Sequence, residues 1–187
     1  MPPVGGVSLH DSFFFNDTAT TEIYTAIDFC WYYEYTRDET ILRETIVPYL
    51  KGVARLYEGV VERRDDGLLH IPFAHSPEVM EETGLALHDD TTFMVSSLRY
   101  VLEKLAAYLD LLGNLDESAR WNAFAADLVR PSVGDHGLQV WPGIDLWYSH
   151  RHFCHLFPIF PLAQISRADA GEDSTIQASL DWLSDLG

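Results

Sequence analysis

Between residues 90 and 113 the apolar side chains fall on one helical face. Phe93, Met94, Leu98, Val101, Leu102, Leu105, Tyr108, Leu109 and Leu112, with Ser97, recur at steps of three and four. Asp90 stands where an N-cap is expected, and Gly113 supplies a left-handed stop. A helix this long with so wide an apolar face must be covered by other elements. The chain therefore has to build a packed helical core around it.

The neighbouring sequence offers the partners. After a short loop Asp116 is a candidate cap for a helix bearing Ala119, Trp121, Phe124, Ala125 and Leu128, which Pro131 closes. Residues 26–36 carry Ile27, Phe29, Trp31, Tyr32 and Tyr35, an aromatic stripe that reads as core before it reads as a ligand platform. Thr36 with Glu39 fits a capping box, and Pro48 can open a run through Leu50, Val53, Ala54, Leu56, Tyr57, Val60 and Val61 that Asp65-Asp66-Gly67 ends. A last helix is expected from Asp173 through Ile176, Leu180 and Leu183. The expectation is an all-α chain of about six helices in antiparallel hairpins, without β-hairpins. Residues 68–90 and 131–149 break the helical pattern and hold four of the eight histidines, as loops that carry function on a helical scaffold do.

Charge narrows the partners. The 187 residues hold 29 acidic and 12 basic side chains, a formal net charge of −17. Such a chain repels phosphate backbones and anionic lipid, and its one adjacent basic pair, Arg63-Arg64, is followed by Asp65-Asp66. Neither nucleic acid nor a membrane is an expected partner, and no apolar run approaches the roughly 18 residues of a membrane span. Cys30 and Cys154 lie far apart among large apolar residues and read as free core thiols; a disulfide is the other option.

The N-terminus differs in character. Residues 13–25 read Phe-Phe-Phe-Asn-Asp-Thr-Ala-Thr-Thr-Glu-Ile-Tyr-Thr, and this stretch, with Ser8-Leu9-His10-Asp11, resembles translated sequencing-adapter read-through. Residues 1–25 are accordingly expected to be artefactual or disordered, the alternative being a real strand-like segment. Residues 26–187 form the helical domain, expected to be a piece of a longer gene product. The opening residues lack the basic-then-apolar pattern of a signal peptide. The parent protein would be a candidate for export, and the compartment stays unassigned.

Two segments could do chemistry. In His70-Ile71-Pro72-Phe73-Ala74-His75-Ser76-Pro77-Glu78 the prolines keep the preceding residues extended. A carboxylate held there near apolar walls can have a raised pKa and act as a general acid; the plain alternative is a solvated glutamate after a turn. In Trp141-Pro142-Gly143 and Trp147-Tyr148-Ser149-His150-Arg151-His152-Phe153-Cys154-His155 the imidazoles and guanidinium can donate to sugar hydroxyls, and the rings can meet sugar C–H faces. A structural cluster fits the same pattern equally well. His150, His152 and His155 could also supply three zinc ligands, although i and i+2 diverge on a continuous helix. Asp90 is read first as a cap and second as a polar contact to ligand.

Taken in order, these motifs resemble glycoside hydrolase family 95, the inverting α-L-fucosidases and α-L-galactosidases. The resemblance starts near Tyr32 and takes in Tyr33 to Asp38, Tyr49-Leu50-Lys51-Gly52, Ser76-Pro77-Glu78, Asp90, His150-Arg151-His152 with His155-Leu156, and Pro161-Leu162. It implies a partial (α/α)6 toroid, a carbohydrate substrate, no cofactor and no metal. It implies Glu78 as general acid, and His150, Arg151, His152, His155, Trp141 and Asp90 around the sugar. The family handles the attacking water with an Asn-x-Asn pair and a downstream Asp-Gly-Asn, neither of which occurs here. Val79 replaces the usual Asn after Ser-Pro-Glu, and Cys154 replaces a small hydroxyl residue. The expectation is a fragment of an inverting α-glycosidase, inactive as it stands. The rival readings are a metal-dependent hydrolase using the three histidines and a non-catalytic helical scaffold or carbohydrate-binding module.

Overall fold

The computed structural model describes residues 9–77, 79 and 87–187, with side chains from Thr20 onward. Six α-helices are described: α1 (Leu9–Thr36), α2 (Glu39–Ile41), α3 (Val47–Glu58), α4 (Thr92–Leu111), α5 (Leu115–Asp127) and α6 (Glu172–Leu186). A π-helical turn, Leu42–Ile46, joins α2 to α3, and Pro48 lies in the first turn of α3. Pro48 has no N–H to bond back into that turn, so the regular i→i−4 ladder is interrupted where the π-turn runs into α3.

Helix α4 is the centre, packed against α5, α1 and α3. It is buried on every face from Thr92 to Leu102, more completely than a one-sided apolar stripe implies. The burial takes in polar groups, and each needs a partner. Arg99 shows how one is satisfied: its Nη1 donates to the carbonyls of Ala125 (2.6 Å) and Leu128 (3.1 Å) at the end of α5. Leu98, Val101, Leu102 and Leu105 meet Ile27, Leu50, Ala54 and Trp121 in the main core.

Several boundaries depart from the sequence reading. Helix α1 starts at Leu9 and so includes most of the stretch set aside as artefactual or disordered, and Ile23 is fully buried in the core. Residues 1–8 lie outside the described residues. The cap of α2 is Asp38, whose carboxylate accepts from the Thr40 and Ile41 N–H groups at 3.0 Å, while Thr36 Oγ1 turns back to the Tyr32 carbonyl. Helix α3 stops at Glu58, earlier than Asp65-Asp66-Gly67, because Gly59 closes it. Asp90 does not cap α4: Thr91 holds that place, and the Asp90 carboxylate is engaged elsewhere.

Two small β-hairpins were not anticipated. β1 (Glu62–Arg63) pairs antiparallel with β2 (Leu69–His70), and β3 (Val133–Gly134) with β4 (Gly137–Leu138). Each turns on a glycine at positive φ, Gly67 (83°) and Gly137 (88°), which the Asp-Asp-Gly and Asp-His-Gly runs could have signalled. Helix α6 docks on β4. There Val79, Val140, Trp141 and Leu146, with Tyr148, Leu183 and Leu186, form a second, smaller core. Cys30 and Cys154 are both buried.

Candidate active site

Among the described residues, two hollows lie between the helices and loops. The first, of 490 Å³, is lined by Pro77, Phe93, Arg151, His152, Cys154 and Phe157 together with residues of α1. It brings the Ser76-Pro77 end of one motif against the His150-Arg151-His152 motif, more than seventy residues away; the Cys154 Sγ lies 4.0 Å from the Pro77 carbonyl. Glu78 itself lies outside the described residues. Its neighbours do not: Pro77 is on the first hollow, and Val79 is 2% exposed in the smaller core beside Trp141.

The second hollow, of 740 Å³, is lined by His70, Phe73, His88, Asp90, Arg130 and Trp141, among others. The site residues read from the sequence thus divide. Arg151 and His152 belong to the first hollow, Asp90 and Trp141 to the second. A run of rings connects the two. His88 stacks on Trp141 at 3.8 Å between centroids, Trp141 meets Trp147 at 5.8 Å and Trp147 meets Tyr148 at 5.3 Å. Tyr148 then meets His150 at 5.2 Å and His150 meets His152 at 5.5 Å. Trp147 and Phe73 keep large exposed faces, and edge-to-face packing holds Trp147 in orientation. The His152 N–H donates to His150 Nδ1 at 3.0 Å, tying the motif together locally.

His155 sits deeper, in the single 3₁₀ turn Cys154–Leu156, and is 3% exposed. Burial pushes its imidazole down from 6.5 to about 4, against the attraction of Asp145 and with a small push from His150. It is therefore neutral at pH 7. The unfolded chain takes up this proton near 6.5 and the folded chain only near 4, so stability is full above 6.5 and falls as pH drops between those values. The loss across that window is roughly 3 kcal/mol. Urea unfolding at pH 7 and pH 4.5 is expected to show it, and His155→Leu is expected to flatten the difference.

The sequence reading missed the role of His70. Its Nδ1 lies 2.5 Å from Asp90 Oδ2 and its Nε2 3.0 Å from Asp66 Oδ2. Burial pulls this imidazole down, but the hydrogen bonds to Asp90 and Asp66 outweigh it and leave it above the ordinary value. The Leu68 N–H first, and then His70, hold the Asp66 carboxyl below its ordinary range. No short-range pattern marks Asp90 as the partner, because it lies twenty residues from His70.

Among the described residues no three His, Cys, Asp or Glu side chains gather as a metal site would. No described helix is long and apolar enough to cross a membrane. Comparison with known families matches the chain to the glycosyl hydrolase family 95 catalytic domain over residues 5–184. Comparison with curated proteins gives no significant match.

Proposed function

The chain belongs to glycosyl hydrolase family 95, and from that premise we propose that it serves an inverting α-glycosidase acting on a terminal L-fucose- or L-galactose-type sugar. It is a glycoside hydrolase domain, mostly α-helical, with a carbohydrate as its substrate. In the proposed reading the α4–α5 hairpin is one of the units of an (α/α)6 toroid. Glu78 protonates the leaving glycosidic oxygen. Arg151 and His152 donate to sugar hydroxyls in the first hollow, with His150 and His155 supporting them from behind. Trp141 and the second hollow receive the rest of the glycan. Inversion needs a water on the opposite face of the ring, with the acid and base roughly 6.5–9.5 Å apart; no residue of this chain is assigned as that base.

The observation that carries the reading is the shared wall: Pro77, next to Glu78, and Arg151 with His152 line the same 490 Å³ hollow. That size suits a small ligand, and its walls combine apolar rings with a few donors, as sugar and cofactor pockets do. The test is binding, read from the resonances of Arg151 and His152 in labelled protein. L-Fucose or L-galactose is expected to shift them, D-glucose to leave them unmoved, and Arg151→Ala to weaken binding at least about tenfold, the loss of one charge-assisted bond. Absence of any shift with either L-sugar would sink the assignment.

A further inference from the structure

We propose that Asp66, His70 and Asp90 form a positioning clamp that sets the segment leading to Ser76-Pro77, with the His70 ring as its centre. The proposal rests on the function assigned above, since that segment leads to Glu78.

The clamp is built from three observations. First, both oxygens of Asp90 are committed within the protein: Oδ1 accepts from the Ile71 N–H at 2.8 Å and Oδ2 meets His70 Nδ1 at 2.5 Å. At 4% exposure Asp90 has little left to offer a sugar, although it lies on the wall of the second hollow. Second, the segment is laced to the start of α4 along its length. The Asp90 N–H donates to the Ile71 carbonyl at 3.0 Å, and the His88 N–H to the Ala74 carbonyl at 2.8 Å. The Phe73 N–H donates to Asp89 Oδ1 at 3.3 Å and the Thr91 hydroxyl to the His75 carbonyl at 3.1 Å. Third, Phe73 (φ 53°) and Asp90 (φ 54°) both sit in the left-handed region that non-glycine residues enter only when their surroundings impose it. The strain falls on the two strands of the lacing, so the conformation depends on the bonds that hold it.

Charge decides how the clamp works. Only an imidazolium can donate from both ring nitrogens; a neutral ring faces one of its two carboxylates with a lone pair. The groups around the ring are Glu62, opposite it in the β1–β2 ladder, with Asp66, Asp89, Asp90, Arg64, Arg130 and His88. Arg64 is paired with Asp89 at 2.6 Å, so the carboxylates in direct contact with His70 are opposed by the ring itself. The clamp is closed below the His70 midpoint and loosens as pH rises through it. Asp90 is then a positioning residue, acting through Ile71 and His70.

The experiment follows the His70 ring and the backbone amides of Ile71, Phe73 and Ala74 by NMR across pH. The ring is expected to titrate above its ordinary value, with the three amides shifting at the same midpoint. Asp66→Asn removes the more exposed carboxylate and is expected to lower that midpoint for ring and amides together. His70→Gln is expected to abolish the amide transition. A ring that titrates while the amides stay still, or an Asp66→Asn chain whose midpoint is unchanged, would overturn the clamp. A role in folding alone would lower thermal stability without moving the shared midpoint. L-Fucose titrations at pH values on either side of the midpoint complete the test: weaker binding above it ties the clamp to the sugar site. Failure of both L-fucose and L-galactose to bind at any pH rejects the assigned function and leaves the amide coupling to stand or fall by itself. Binding that ignores the midpoint overturns the link to the site.

Discussion

Replacing Gly137 by alanine is expected to destabilise the protein by about 2–4 kcal/mol, combining an overpacked contact with a left-handed backbone that alanine resists. A Cβ at this position would lie 2.1 Å from Ser179 Oγ, 2.6 Å from Ser179 N and 2.8 Å from Ser179 Cα. The backbone there has φ 88°. The close approach is the joint between β4 and α6, where the Leu138 N–H donates to Ser179 Oγ at 2.9 Å. Denaturant unfolding measures the loss. Adding Ser179→Ala removes only the hydroxyl, and two of the three close atoms are backbone, so the double variant is expected to stay well below wild type. Full recovery would show that the hydroxyl alone made the joint tight.

Phe93→Ala is expected to cost about 3–5 kcal/mol, the usual loss for a buried phenylalanine whose site cannot collapse. Phe93 is fully buried in α4 and meets the Phe157 ring edge to face at 4.8 Å. It also forms part of the wall of the first hollow, so the truncation opens that hollow inward as it weakens the core. Phe153 provides the contrast: it lines the same hollow but is 49% exposed. Phe153→Ala is expected to change stability by less than about 0.5 kcal/mol while still weakening sugar binding. Unfolding midpoints and L-fucose titrations on the two variants separate support of the core from contact with ligand. Equal stability losses would mean that Phe93 is not the keystone its burial indicates.

What could be read from the sequence was mostly what local pattern controls. The courses of α4, α5 and α6 follow from apolar spacing, and Gly113, with φ 80°, makes the expected stop, but the caps shift: Thr91 rather than Asp90 precedes α4, and Asn114 rather than Asp116 precedes α5. The hairpins escaped because two-residue strands leave no alternation to detect. Asp90 was misread because Asp-Asp-Thr-Thr before an apolar run looks like a cap, whereas His70 and the Ile71 N–H compete for the same carboxylate from across the fold. The order of motifs pointed to the family. The division of Trp141 and Asp90 from Arg151 and His152 between two hollows did not show, since loop paths rather than residue types decide it.

The two cores are unequal, and the division has a bearing on cooperativity. The larger is knitted by α1, α3, α4 and α5, while the smaller joins α6 and the β3–β4 loop region to Val79 and Trp141. Local opening reaches first the units with the fewest buried apolar contacts. In this molecule that unit holds the residue after Glu78 and the tryptophan that begins the ring run. In the proposed reading a sub-global opening of the smaller unit would loosen the site while the central helices stay intact, so the free energy of that opening, rather than the global stability, would set how much of the population is competent to hold a ligand.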